Sequence, residues 1–397
     1  MVTNKEQNKL NVPHLRFPEF HGEWEEHGLS EYLDFKNGLN PDSKRFGKGI
    51  KFISVMDILN NPVITYDCIR ASVQATDAEM SSFSVENGDI LFQRSSETLE
   101  DVGRANVYID DKVAVFGDFV IRGKKKANYN PLFFRYLLSS PYARKRIIPM
   151  GAGAQHFNIG QEGLSKVLLN FPSIEEQTKI ASLLHLLDER IATQSKLIEK
   201  LESLIKGIVD CTILRKEKNA IVGDVCSISE QIRAEANIDD IITVRLHGNG
   251  VCKSSAENLQ LGATQYYRRR AGQLIYGKQN FHNGAIGIVP ISLDNGITSK
   301  DIPSFDIDEM KCNSVYLLAQ LQSPQYYKPA EALTTGTGSK RLKEETFLKM
   351  PIVLPNKSEQ DNISVLIHRA SMNLDHAKRL LELLSIQKQF LLRQMFI

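Results

Sequence analysis

Phe171-Pro172-Ser173-Ile174-Glu175-Glu176-Gln177 and Leu354-Pro355-Asn356-Lys357-Ser358-Glu359-Gln360 share one pattern: an apolar residue, Pro, three variable positions, then Glu-Gln. A shift of 183 positions carries the first stretch onto the second. Without a gap, the same shift pairs Ile180 with Ile363, Leu183 with Leu366, His185 with His368, Leu197 with Leu380, Glu199 with Glu382 and Leu201 with Leu384. Upstream it places Phe133-Phe134 on Tyr316-Leu317 and Ser140-Pro141 on Ser323-Pro324. Gly88-Asp89-Ile90-Leu91-Phe92 resembles Gly272-Gln273-Leu274-Ile275-Tyr276 at a shift of 184, and Gly151-Ala152-Gly153 resembles Gly336-Thr337-Gly338 at 185. The chain reads as two similar halves, each a globular segment followed by a long helix. A period of this length marks duplicated domains, not a solenoid of small repeats.

The helices follow from spacing. Ile180, Leu184, Leu187, Ile191, Gln194, Ile198, Leu201, Ile205 and Ile208 form an a/d seam with one polar interruption, Gln194. Ser173 is in place to cap it, with Glu175 and Glu176 in the first turn, where the helix dipole favours carboxylates. The second seam is Ile363, Ile367, Ala370, Leu374, Ala377, Leu381, Leu384, Lys388 and Leu391, interrupted at Lys388. A helix of about 36 residues extends roughly 54 Å and needs something to cover its apolar stripe. Each could pack on its own domain; the seam length and the duplication favour an antiparallel pair related by a pseudo-twofold axis.

The globular segments are mixed. Ile50–Val55, Ile90–Phe92, Val113–Phe116, Ile241–Val244 and Ile286–Val289 have the character of short buried strands. Pro131–Leu138 and Val315–Leu321 have that of helices, each stopped by Ser-Pro. The expected class is α+β, with segments at 1–170 and 215–353 and long helices at 171–214 and 354–397.

Composition bounds the function. Of 397 residues, 42% are hydrophobic and 24% charged, so the chain can fill real cores. The formal net charge of +2 does not by itself suggest a polyanion-binding protein. No window is apolar enough for a membrane span, and Met1–Leu10 is polar, unlike a secretory signal. The five cysteines include no C-x-x-C pair, which predicts free thiols in a reducing cytoplasm and no structural zinc. Catalytic patterns fail on inspection. Asn130-Pro131-Leu132-Phe133 is close to the Asp/Asn-Pro-Pro-aromatic pattern of amino-methyltransferases, but its repeat mate Asn313-Ser314-Val315-Tyr316 keeps only the Asn. Asn as helix cap, with Pro in the first turn, explains both copies. No Phe-x-Gly-x-Gly loop is present for S-adenosylmethionine. Thr335-Gly336-Thr337-Gly338-Ser339-Lys340 misses the phosphate-loop spacing.

Two variable segments, each followed by a helix led by Pro-x-x-x-Glu-Gln, resemble the specificity subunit of type I restriction–modification enzymes. Leu15-Arg16-Phe17-Pro18-Glu19-Phe20 with Trp24, Gly88 through Ser95, and Phe171 through Ile180 carry the resemblance, which extends over nearly the whole chain. The resemblance implies two target recognition domains, each reading one half of a bipartite double-stranded DNA site. It implies helices that set the spacer and dock two methyltransferase subunits holding S-adenosylmethionine. Restriction subunits using ATP and Mg would join them. This chain would be non-catalytic and carry no cofactor of its own. The rival readings are a coiled-coil scaffold that never touches DNA and a self-sufficient methyltransferase, the latter disfavoured by the missing cofactor loop.

Base readout calls for Arg or Lys at guanine, Asn or Gln at adenine, and hydroxyls at either. In the first half this selects Arg94 and Ser95 after a strand, Arg104, and Gln155, His156 and Asn158 after the Gly-rich turn, with Lys44, Arg45 and Lys48 for phosphates. In the second half it selects Arg245, Lys278, Asn280 and His282, then Lys340 and Arg341 after the second Gly-rich turn. Arg268-Arg269-Arg270 adds a dense basic run. The halves differ most in these loops while agreeing in framework.

Overall fold

The computed structural model describes residues 11–254, 264–336 and 340–397; Met1–Leu10 and Thr337-Gly338-Ser339 of the second Gly-rich turn lie outside the described residues. The chain forms two compact units, Met1–Ser195 with Leu380–Ile397, and Lys196–Arg379. The segments read as 1–170 and 215–353 each fall within one unit, while both long helices are shared between the units. Four helices matter most: α1 (Pro131–Ser139), α2 (Ile174–Val209), α3 (Ser314–Leu321) and α4 (Lys357–Gln394).

The first unit is built on an antiparallel sheet of β1 (Leu33–Asn37), β2 (Ile90–Gln93), β3 (Ala105–Val107) and β4 (Val120–Lys125), in the order β1-β4-β2-β3. All four residues of β2 are buried, as expected for a strand covered on both faces. A second sheet joins Ala71–Val73, Phe46–Ile53, Ala114–Phe116 and Ser84–Val85, in that order, with Phe52 and Val115 paired in parallel strands. Helix α1 begins where Asn130 Oδ1 accepts the Phe133 N–H at 3.0 Å, with Pro131 in the first turn. The methyltransferase-like tetrapeptide is therefore a helix cap. Ser140 ends α1 and at once caps the next helix, Pro141–Ile147, so Ser-Pro is a stop and a new start. Trp24 is fully buried, its ring 6.2 Å from Phe133 and 6.4 Å from Phe396. Burying a large apolar side chain of this kind contributes about 1.5–3 kcal/mol. The N-terminal signature residues thus close a core that also takes in the last residues of the chain.

The second unit repeats the plan. Strands β5 (Cys226–Ile228), β6 (Leu274–Tyr276), β7 (Ile286–Ile288) and β8 (Ser304–Ile307) lie in the order β5-β8-β6-β7. Asn313 caps α3 through the Val315 N–H at 3.0 Å. Tyr276, Phe281, Phe305 and Phe347 form the aromatic centre, with the rings of Tyr276 and Phe347 4.7 Å apart.

The seam residues of both long helices are buried or half-buried: Ile180, Leu184, Leu187, Ile191, Ile198 and Leu201 on α2, and Ile363, Ile367, Leu374, Leu381 and Leu384 on α4. In the first unit Asp188 meets Lys388 at 2.5 Å, and in the second Glu202 meets Lys378 at 2.9 Å. Partner numbers fall along α4 as they rise along α2, so the helices are antiparallel. Both readings of the stripe hold at once. Ile180, Leu184 and Leu187 also pack into the first unit's core, and Val209 and Ile363 into the second's. Lys388, read as an interruption, is the partner of Asp188. A second apolar row points outward: Leu183, Leu186, Leu197 and Leu204 on α2, and Val365, Leu366, Leu383, Ile386 and Phe390 on α4, are all exposed.

The Glu of each Glu-Gln pair is tied to an upstream cation. Arg16 grips buried Glu176 with two hydrogen bonds, Nε to Oε1 at 2.8 Å and Nη2 to Oε2 at 2.7 Å. In the second unit Lys216 pairs with Glu359.

Candidate nucleic-acid interface

Three segments meet at the end of β2 in the first unit. The Arg94 N–H donates to the Phe119 carbonyl at 2.9 Å, and the Arg94 carbonyl accepts the Ile159 N–H at 2.9 Å. Just beyond, Ser95-Ser96 pairs with Phe157-Asn158 as antiparallel strands. Ala152 and Asn158 exchange backbone hydrogen bonds at 2.9 and 2.8 Å, closing a loop over residues 153–157. Gly153 starts this loop at φ +145°, and a Cβ there would lie 2.0 Å from the His156 carbonyl oxygen, so glycine is required.

The second unit has the same knot. The Lys278 N–H donates to the Asp301 carbonyl at 2.9 Å, and the Lys278 carbonyl accepts the Leu342 N–H at 2.9 Å. Thr335 and Arg341, which flank the second Gly-rich turn, exchange backbone hydrogen bonds at 3.0 and 2.9 Å. Gly336, next to Thr335, has φ +131°. Duplication therefore extends to the backbone frame that flanks these loops, while the side chains on it differ.

Within the first unit, the structure brings Arg94, Ser95, Gln155, His156 and Asn158 together. Gln155, His156 and Asn158 are exposed, and Ser95 Oγ donates to Asn158 Oδ1. Arg94 is half-buried, and its Nη1 donates to the Asp118 carbonyl at 3.2 Å. Arg104 is exposed and pairs with Asp101 at 2.6 Å. Lys44 and Lys48 are exposed, and neither has an ion pair among the described residues. Arg45 is committed: its Nη1 donates to Glu79 at 3.0 Å and its Nε to the Gln74 carbonyl at 2.9 Å. Its hydrogen bonds hold the Glu79 carboxyl down at about 2.

Cations of the second unit's loops have acidic neighbours. Lys278 meets Glu344 at 2.6 Å, Lys340 meets Glu331 at 3.2 Å, and Arg341 meets Asp301 at 3.1 Å. The pairs of Lys340 and Arg341 are exposed, and such pairs are worth at most about 1 kcal/mol, so a phosphate or a base edge can replace the acid. Asn280 is exposed at the start of the turn Phe281–Asn283, and His282 within that turn is half-buried. Arg245 ends the strand Ile242–Val244, is exposed, and directs Nε at Cys252 Sγ at 3.1 Å.

The basic run corrects its surface reading. Arg269 is fully buried, with Nε 2.7 Å from Thr298 Oγ1, Nη1 2.8 Å from Ser304 Oγ and Nη2 3.0 Å from the Ile302 carbonyl. Burial pushes its guanidinium down to about 10. Only Arg268 and Arg270 face solvent. The sequence reading also missed the turn at Gly117-Asp118-Phe119, which Arg94 grips from 24 residues away. Nothing in its short apolar surroundings marks it.

Residues 21–203 match the family model of the type I restriction modification DNA specificity domain. No curated protein matches the chain. Among solved structures, the S subunit of the type I restriction-modification system from M. genitalium is 14% identical, with a TM-score of 0.64 over 97% of this chain and 99% of that one. The HsdS subunit from Thermoanaerobacter tengcongensis is 13% identical over 94% and 96%, with a TM-score of 0.45. The likeness to the M. genitalium subunit establishes a common fold along almost the whole chain. Residues 21–203 are thus similar to the type I restriction modification DNA specificity domain, and the chain as a whole shares the fold of the M. genitalium S subunit.

Proposed function

We propose that this protein is the DNA sequence-recognition subunit of a type I restriction–modification complex. Each unit reads one half of a bipartite site through its three-segment knot, and the two long helices fix the spacer. The observation that carries this reading is the repeated backbone frame around the loops, bearing unlike side chains. One scaffold presents Arg94, Ser95, Gln155, His156 and Asn158 in one unit and Lys278, Asn280, His282, Lys340 and Arg341 in the other. Two different half-sites require that arrangement.

The chain supplies address and no chemistry. S-adenosylmethionine belongs to two methyltransferase subunits, and ATP and Mg to restriction subunits that join them. The exposed apolar rows of α2 and α4 support docking of a protein partner there, since water-facing Leu, Ile and Phe at helical spacing mark contact surfaces. No helix among the described residues is long and apolar enough to cross a membrane, and a DNA-reading complex works in the cytoplasm. The test is co-expression with a methyltransferase subunit, followed by binding to cognate and random duplexes across a salt series. Sequence-dependent, salt-sensitive binding supports the reading. Equal affinity for every duplex, or none, favours the scaffold alternative.

A further inference from the structure

We infer that Phe119 is an apolar wedge that inserts between stacked base pairs of the half-site read by the first unit. The inference rests on the DNA-reading function proposed above and adds a residue that hydrogen-bond readout does not select.

Phe119 is 60% exposed, whereas Phe116 at the start of the same turn is fully buried. It occupies a tight turn in which the Val120 N–H donates to the Gly117 carbonyl at 2.9 Å. The turn is fixed from several directions. Arg94 holds the Phe119 carbonyl through its N–H at 2.9 Å and the Asp118 carbonyl through Nη1 at 3.2 Å. The Gly117 N–H donates to the Ile53 carbonyl at 3.0 Å. Gly38 packs so tightly beneath that a Cβ on it would lie 2.0 Å from the Gly117 oxygen. An exposed ring on so rigid a mount loses little freedom when it is inserted.

The neighbours of the turn are the groups that a wedge needs. On one side, Arg94 links it to Ser95 and, across the short sheet, to Asn158. On the other, a Cβ on Gly117 would lie 2.6 Å from the Phe52 ring, and Phe52 packs edge-on against Phe46 at 5.2 Å. Phe46 lies between Lys44 and Lys48, both exposed, which can hold phosphates beside the opened step. Proteins that kink DNA insert Phe, Leu, Ile, Met or Pro in this way. At the equivalent backbone position, the second unit has Asp301, whose carboxylate takes Arg341. The wedge is therefore a property of one half-site only.

The test uses the complex assembled with its methyltransferase subunit and duplexes carrying 2-aminopurine at successive positions of each half-site. Wild type raises fluorescence at one step of the first half-site. Phe119→Ala abolishes that rise and weakens cognate binding about tenfold or more, by the usual loss of base–aromatic stacking, and leaves random DNA unaffected. Phe119→Leu, still an apolar wedge, restores the signal. Wild-type fluorescence and affinity in Phe119→Ala would overturn the inference while leaving DNA reading intact. A Phe119-dependent signal in the second half-site would overturn it as well. A wild-type complex that binds all duplexes alike would remove the functional reading, and the wedge with it.

Discussion

The backbone N–H of Asn130 donates to Gln177 Oε1 at 3.1 Å, and 183 residues later Asn313 donates to Gln360 Oε1 at 2.9 Å. Each glutamine also donates to its own motif proline carbonyl, Pro172 at 3.0 Å and Pro355 at 2.8 Å. Both glutamines are buried. The Gln of the duplicated motif thus joins the start of a long helix to the cap of the domain helix before it. Removing it strands a backbone donor and a backbone acceptor away from water. Gln177→Leu should cost about 2–4 kcal/mol in the first unit, from two orphaned buried groups. Chemical denaturation should show the first unit's transition shifted and the second's unchanged, with the reverse for Gln360→Leu.

Arg94 and Lys44 should behave differently. Arg94→Ala releases the Asp118 carbonyl and loosens the reading edge, so cognate binding should fall by ~1–3 kcal/mol while random DNA is little affected. Lys44→Ala should weaken cognate and random DNA alike and flatten the salt slope by about one unit. Titrations of both duplexes at several salt concentrations check this. Equal losses for both DNAs with Arg94→Ala would mark it as a phosphate contact.

The helix pair should be acid-sensitive at its Asp188 end. Burial pushes the Asp188 carboxyl up, but the hydrogen bond and charge of Lys388, the charge of Arg135 and the Tyr136 hydroxyl outweigh it and hold it below its ordinary value of 3.8. A carboxyl depressed in the folded state stabilises above its unfolded value and loses that contribution as pH falls through the folded one. Stability of the first unit should therefore drop below about pH 4. Asp188→Asn should remove that part of the acid dependence and cost about 1–3 kcal/mol at neutral pH, since two partly buried cations lose their acceptor. Melting curves from pH 7 to 3 measure both effects.

Thiol chemistry should separate the cysteines by burial. Burial pushes the Cys226 and Cys312 thiols up to about 12, while Cys211 is exposed. Alkylation of the native protein at pH 8 should modify Cys211 and leave Cys226 and Cys312 unmodified until denaturant is added. Mass spectrometry of the peptides reads this directly.

Periodicity made the long helices legible, because a seam at alternating spacings of three and four is written in adjacent residues. The caps at Asn130 and Asn313 were legible for the same reason: cap and first turn are neighbours in sequence. The sheets were less so, since strands as short as Leu274–Tyr276 carry no pattern that fixes their partners. The candidate site lay between these cases. Side-chain type selected Ser95 and Asn158, which do meet, but no local signal joins Arg94 to the Asp118-Phe119 turn. Arg269 misled because a basic run has the same composition whether its middle member faces water or, as here, a buried pair of hydroxyls.

In the function proposed above, each unit reads its own half-site. The decisive experiment exchanges residues 215–353 for the same segment of a relative, co-expresses the chimera with the methyltransferase subunit, and sequences the methylated genome. One half-site should change while the other half-site and the spacer length are retained. Methylation with both half-sites altered, or with the original bipartite site unchanged, would rule out separate reading by the two units.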